Sequence, residues 1–168
     1  MQETDTLVLN KTEVALKIQR IAWEIFEKHV NEKQLHIVGI SKSGYWLAEK
    51  IMKRLAEISD LKLSLIEMEI NKKSPLSKDV KLSKPLAELK GQSVVLVDDV
   101  LNSGSVLMHG ARHLLSEDLK QLTSAVLIDR NHKRYPIKAD VKGLSLSTTM
   151  QEHVNVEIED DNAVVYLN

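Results

Sequence analysis

An α/β fold, with an open, mostly parallel sheet and helices on both of its faces, is predicted by three features of the chain. Short, nearly unbroken apolar runs at 35–40, 93–97 and 123–128 have the composition of strands buried on both sides. Segments with helical apolar spacing alternate with them, so that a strand–helix order repeats along the sequence. Each apolar run ends in a polar cluster: Ser41–Gly44, then Asp98–Ser105, then Asp129–His132. Right-handed crossovers bring the C-terminal ends of such strands to one edge of the sheet, where ligands bind in open α/β folds.

The first helix is expected from about Lys11 to His29. Asn10 can cap it, with Glu13 three residues on as in a capping box. Val14, Ile18, Ile21, Ala22 and Ile25 form its buried stripe, leaving Lys17, Arg20, Glu24 and Lys28 to solvent. "LHIVGI" (35–40) is a strand and "SKSG" (41–44) a polar loop. "YWLAEKIMKRLAEI" then returns to helical spacing through Leu47, Ala48, Ile51, Met52 and Leu55. "LKLSLIEMEI" (61–70) alternates as a strand with one wetter face. Residues 71–90, rich in lysine and carrying Pro75 and Pro85, have no periodicity and are expected to be a flexible loop. "SVVLV" (93–97) is a strand, Gly104 to about Ser116 a helix and "TSAVLI" (123–128) a strand. "HVNVEI" and "AVVYLN", separated by Glu159–Asn162, form a hairpin or two short added strands.

A length of 168 residues is sufficient for one domain with a real core, spanning 1–168. Apolar residues make up 43% and charged residues 28%, an ordinary globular balance. No apolar run approaches the ~20 residues of a membrane span, and "MQETDTLVLN" lacks a basic, signal-like start, so no membrane partner is expected. The absence of cysteine excludes disulfides and thiolate metal sites and points to the cytoplasm. A net charge of −1 excludes a polycation built to coat nucleic acid, though not a local basic patch.

The stretch "VVLVDDVLNSGSVL" (94–107) concentrates the chemistry. Two adjacent carboxylates after a buried strand repel each other and cost several kcal/mol to bury unless something neutralises them. A surface loop would explain any one of the three polar clusters, but their joint chemistry less well. The acids suit polyol hydroxyls or a metal. Ser103-Gly104-Ser105 entering a helix suits a phosphate, through free backbone N–H groups and the helix dipole. Lys42 and Arg130 suit further anionic oxygens. A polyphosphorylated sugar fits all three.

On these residues the chain resembles the type I phosphoribosyltransferases, whose phosphoribosyl-pyrophosphate (PRPP) motif is an apolar strand, two acids and a Gly-rich loop opening a helix. "QRIAWEIFEKHV", "HIVGISKSGYWLAEKIMKRL", "AVLIDRNHKRYPIKADVKG" and "VNVEI" extend the resemblance, over nearly the whole chain, to the bifunctional pyrimidine-operon attenuators that are also uracil phosphoribosyltransferases. The resemblance implies the type I phosphoribosyltransferase fold with a small hood at about 129–150. Asp98 and Asp99 would accept hydrogen bonds from the ribose hydroxyls, and the PRPP site would run through Val100 and Leu101 into the 5′-phosphate cradle, Asn102, Ser103, Gly104 and Ser105. Ser41, Lys42, Ser43 and Gly44 would meet the pyrophosphate. Asp129 and His132 would belong to the hood around the base. Arg130, near the pyrophosphate or base, would join Asp98 and Asp99 in catalysis. Mg²⁺ would be the cofactor, carried mainly by PRPP with both acids nearby and no direct protein ligand. The partners would be PRPP and a nucleobase, uracil first, and the chain would form a homodimer or a higher homo-oligomer.

The chain departs from the family pattern in three places. Val106 stands where a threonine is usual, Ser43 where the pyrophosphate loop usually has arginine, and "INKKSPLSKDV" lacks the Tyr-Arg-Asp-Asp of the uracil enzymes' mobile loop. Lys72 and Lys73 could serve leaving pyrophosphate, but solvated loop lysines are the simpler expectation. An alternative function is a catalytically weak, nucleotide-sensing regulator that binds RNA. It ranks lower because Ala15, Leu16 and Trp23 occupy first-helix places that are basic or polar in the attenuators, leaving only Arg20. A receiver-like domain fits poorly, since its acid pair would follow the first strand. His109 and His113 have a spacing metal ligands use, but lack a third ligand and are expected on the surface or in packing. His36 is expected to be a satisfied strand residue, and Trp23 and Trp46 to pack in the core or at a subunit contact. "EIEDDN" lacks the glycine of a calcium loop and is expected as an exposed turn. No Walker lysine follows a Gly-rich loop.

Overall fold

In the computed structural model, which describes residues 5–168, the chain runs β1 (Thr6–Leu9), α1 (Lys11–Lys28), β2 (Gln34–Ile40), α2 (Ser43–Ile58), β3 (Lys62–Glu69), β4 (Lys81–Leu82), β5 (Ser93–Leu101), α3 (Ser105–Leu114), β6 (Gln121–Asp129), β7 (Val141–Ser145), β8 (Val154–Glu159) and β9 (Asn162–Leu167). The main sheet has the order β4–β3–β2–β5–β6–β7, parallel except for β4. A smaller antiparallel sheet has the order β1–β9–β8.

Side chains alternate across the main sheet and build a core on each face. Ile37, Val95, Val97 and Leu127 pack with the buried stripes of α1 and α2. Val38, Ile40, Leu96 and Val126 pack with Leu107 and Leu114 of α3. Each such fully buried aliphatic side chain contributes roughly 1.5–3 kcal/mol. The capping box forms: the Glu13 amide donates to Asn10 Oδ1 at 2.9 Å, and the Asn10 amide donates to Glu13 Oε2 at 2.8 Å. All five residues expected on the inner face of α1 are buried.

Several elements differ from expectation, each for a local reason. Residues 6–9 form β1, too short for its alternation to stand out in sequence, and it pairs with β9 in the small sheet. The C-terminal segment is a hairpin whose two turn residues, Asp160 and Asp161, have φ of 45° and 69°, as a tight turn of positive φ requires. Residues 141–145, expected within the hood, are instead β7 of the main sheet. Gly143 permits this, because a Cβ there would lie 2.5 Å from the Leu127 carbonyl oxygen. The 71–90 connection carries β4 and a 3₁₀ turn at Leu86–Leu89 with Leu89 fully buried, so irregular backbone is concentrated in 71–80.

His36 corrects an expectation. Both its ring nitrogens are buried without a partner, the neighbouring Gln92 side chain falling short of normal hydrogen-bond geometry, and burial, then Lys84, lowers its pKa. Trp46 packs against the first core, whereas Trp23 is 44% exposed. Among the described residues no helix is long and apolar enough to cross a membrane, and no three His, Cys, Asp or Glu side chains gather as a metal site.

The junction of β2 and α2 depends on Gly39, where a Cβ would stand 2.5 Å from Tyr45 Cα and 2.9 Å from the Gly44 carbonyl oxygen. Gly39→Ala would have to push backbone away from backbone. We expect a loss of about 1–3 kcal/mol, measured by denaturant titration, with displacement of the Ser41–Gly44 loop.

Candidate functional site

Strand β5 runs through Leu101, four residues beyond its apolar run, so Asp98 and Asp99 lie within the strand and not in the loop that follows. Asp98 is only 4% exposed. Its Oδ1 accepts the Asp99 amide proton at 2.9 Å and meets Lys72 Nζ at 2.9 Å, while Lys72 Nζ stands 3.4 Å from Asp99 Oδ1. Burial first, then the Asp99 charge, pushes the Asp98 carboxyl up to about 7 against the pull of Lys72. Asp99 goes the other way: although burial opposes it, Lys72 and hydrogen bonds from Asp98, Ser43 and the Val100 amide hold it below the ordinary carboxylate range. The two carboxyls are thus pushed in opposite directions, Asp98 toward its protonated form and Asp99 toward its charged form.

The loop after β5 leads straight into α3. Gly104, with φ of 86°, is the N-cap and offers no side chain, and the first turn holds no acid, so amide donors at the start of α3 are left facing outward. The Ser105 amide donates to Ser103 Oγ at 3.2 Å. From the far side the Ser103 carbonyl accepts the amides of Arg134 at 2.8 Å and Tyr135 at 3.1 Å. A Cβ on Gly104 would meet Ile137 Cγ2 at 2.7 Å, so glycine is required there for both conformation and space. The acids, this loop, Lys72, Val106 and Leu107 line one cavity of about 290 Å³, closed on one side by Val154 of β8.

Ser41–Gly44 stands beside that cavity. Lys42 has φ of 61° and caps α2 with no side-chain hydrogen bond, a strained conformation of the kind held at ligand-binding turns. Gly44 lets α2 begin against β5, since its Cβ would lie 3.0 Å from Asp98 Oδ1. Ser41 and Lys42 open onto a neighbouring depression of about 730 Å³ whose walls include Asn71, Lys78 and Lys81.

The third cluster is engaged with residues of its own and neighbouring loops. Asp129 is 1% exposed, accepts the Asn131 amide at 2.9 Å and has Lys133 and Lys142 each at 3.7 Å. Arg130 is 7% exposed. Its Nε donates to Thr148 Oγ1 at 3.1 Å, Nη1 to Asn102 Oδ1 at 3.0 Å, and Nη2 to the carbonyls of Thr149, at 3.3 Å, and Glu152. His132 Nε2 lies 2.6 Å from the Thr148 carbonyl. Arg130 thus ties the loop after β5 to residues 148–152. Sequence reasoning missed Thr148, Glu152, Ile137 and Val154, which lie in aperiodic or edge segments and meet the site through long-range contacts. His109 rests edge-on to Tyr135, at 6.4 Å between ring centres, in keeping with a packing role.

The Asp98 environment has a measurable consequence. A carboxyl raised above its unfolded value contributes stability that is fully present below that value and is lost as pH rises through the folded value. Between about pH 4 and pH 7 the protein should therefore lose stability that Asp98→Asn retains. The variant should melt at least ~2–4 °C higher than the parent at pH 8, the shift of about 1 kcal/mol at this size, and the gap should close only toward about pH 4. Parallel melting curves at all pH values would show that Asp98 ionises normally.

Comparisons with known proteins agree with this geometry. The family model for the phosphoribosyl transferase domain matches residues 6–161. The bifunctional protein PyrR of Listeria monocytogenes serotype 4a is 31% identical over 168 residues, covering 94% of this chain and 92% of that protein. PyrR of Pediococcus pentosaceus is 29% identical over 163 residues, covering 90% and 92%. Among solved structures, a hypoxanthine-guanine phosphoribosyltransferase from Bacillus anthracis superposes with a TM-score of 0.75 at 16% identity, covering 90% of this chain and 88% of that one. The hypoxanthine phosphoribosyltransferase of Trypanosoma cruzi gives 0.77 at 14% identity, covering 95% of each. With its sheet order, its acid pair and its glycine-capped helix at one sheet edge, the chain belongs to the phosphoribosyltransferase family and has the type I fold.

Proposed function

We propose that this protein transfers the 5-phosphoribosyl group from PRPP to a nucleobase, releasing pyrophosphate, and that uracil is the base. The observation that carries the reaction type is one cavity holding a buried acid pair and an uncapped helix N-terminus. The relatives named bifunctional PyrR, together with the resemblance to uracil enzymes, support the pyrimidine choice.

On this reading the ribose hydroxyls donate to Asp98 and Asp99, and the 5′-phosphate accepts from the first-turn amides of α3 and from Ser103 and Ser105. Ser41–Gly44 offers backbone amides and Lys42 to the pyrophosphate. Arg130 acts by holding Asn102 in place and not by direct contact. Mg²⁺ fits beside this site, since Asp98 and Asp99 pair with a cation, Lys72, there. When bound, it supplies charge neutralisation of the leaving pyrophosphate. The protein's own part is to position the two reactants and to place negative charge beside a developing cationic sugar.

The decisive experiment follows pyrophosphate release with PRPP, Mg²⁺ and a panel of bases. Turnover is expected with uracil. The Asp98→Asn/Asp99→Asn double variant should stay folded and lose at least roughly tenfold in PRPP affinity by calorimetry, since hydrogen bonds to charged groups are worth about 1.5–3 kcal/mol each. No release with any base, alongside salt-sensitive RNA binding, would assign the chain to the regulatory class instead.

Val106 lines the cavity while also packing against the second core. Val106→Thr is nearly isosteric and adds a donor where anions are already favoured. PRPP binding should tighten by roughly fivefold, about 1 kcal/mol, with an unchanged melting temperature. A lower melting temperature without tighter binding would mean that the hydroxyl is held in the core.

A further inference from the structure

We propose that Lys72 is the positioning residue of the acid pair: reaching in from the irregular 71–80 connection, it holds Asp98 and Asp99 side by side in the arrangement that PRPP meets. This rests on the phosphoribosyl reading of the site for its ligand, though not for its effect on the two carboxyls.

The geometry singles Lys72 out. Its Nζ bridges the two carboxylates, at 2.9 Å from Asp98 and 3.4 Å from Asp99, although 26 residues separate it from Asp98 in sequence. Its side chain is 38% exposed, so its ammonium reaches the acids from the solvent side. No other described cation is in ion-pair contact with either acid. The surrounding elements are otherwise committed. Ser43, the first residue of α2, is among the groups that lower the Asp99 pKa. The loop after β6 keeps Arg130 on Asn102, and Asp129 stands with Lys133 and Lys142. Ser43 stands at the place where the resemblance leads one to expect an arginine, and Arg130 is bonded to Asn102, Thr148, Thr149 and Glu152, so the positive charge paired with the acids comes from the connection.

Without that charge, ionising the second of two adjacent carboxyls costs more, so the pair keeps a proton up to higher pH, and the protonated group turns from acceptor into donor toward a sugar hydroxyl. Lys72 therefore acts through Asp98 and Asp99 by fixing their charge and spacing. A solvated loop lysine would do neither.

The test uses the full chain with Lys72→Met, which keeps length and loses charge, and Lys72→Arg, which keeps charge. Calorimetry with PRPP and Mg²⁺ at about pH 6.5 and pH 9 should show Lys72→Met weakened roughly tenfold at the lower pH and nearly equal to the parent at the higher, with Lys72→Arg close to the parent at both. In the ligand-free protein, carbon-detected NMR titration of the Asp98 and Asp99 carboxyls should move upward in pH for Lys72→Met and be restored in Lys72→Arg. Equal weakening at both pH values, tighter binding by Lys72→Met, or carboxyl titrations that coincide in all three proteins would overturn the proposal. Should the parent bind no PRPP, the functional reading fails, and the carboxyl titration alone decides the role of Lys72: an upward move supports it and coincidence overturns it.

Discussion

Two like charges placed side by side in the central strand of a parallel sheet are the constraint around which this molecule is organised. Desolvating a carboxylate costs several kcal/mol, and a second one at its side adds to the cost. The structure divides the burden unequally. Asp99 is kept ionised by Lys72 and hydrogen bonds, and Asp98, the deeper of the two, is pushed to about 7 by burial. Neighbouring features make room for that arrangement. Gly44 brings the start of α2 against Asp98, and Gly39 lets α2 close onto β2. A pair so costly to bury contributes little to folding and is consistent with a site kept for its chemistry.

Much of this was legible in the sequence, because the informative signals were contiguous or periodic. The parallel sheet followed from unbroken apolar runs, and the two cores from alternation along them. The cavity followed from a single stretch, 94–107, in which strand, acids, loop and helix start come in order. What was hidden depended on long-range contacts or on very short elements. Four residues in β1 and five in β7 carry too little pattern to separate strand from loop. The aperiodic 71–90 stretch looked flexible, yet it contains a buried Leu89 and the lysine that meets the acids.

Arg130 shows the same limit from another direction. Its residue type says that it will meet oxygen atoms, and it does, but sequence does not say whose. Asn102, Thr148, Thr149 and Glu152 take its donors, so a group suited to an anionic ligand serves as an internal tie between two loops. Five donors in a rigid fork make arginine apt for such a tie, and a lysine there could not span the same set of acceptors. The consequence is mechanical: the segment at 148–152 and the loop at 102 are held as one piece.

That coupling bears on how the end of the site proposed to bind phosphate can tolerate an altered sequence. Amide donors at the start of α3 are oriented by the helix itself, and the loop before them is pinned by backbone bonds from Arg134 and Tyr135. Neither feature depends on the side chain at 106. Loss of a hydroxyl there removes one donor from a set otherwise supplied by main chain and dipole, so the cradle is weakened and not dismantled. The acid pair has less reserve, since among the described residues one lysine, from a distant segment, is in ion-pair contact with it. The helix-supplied end of the site is thus robust to substitution, and the lysine-balanced end is where small sequence changes have the larger effect.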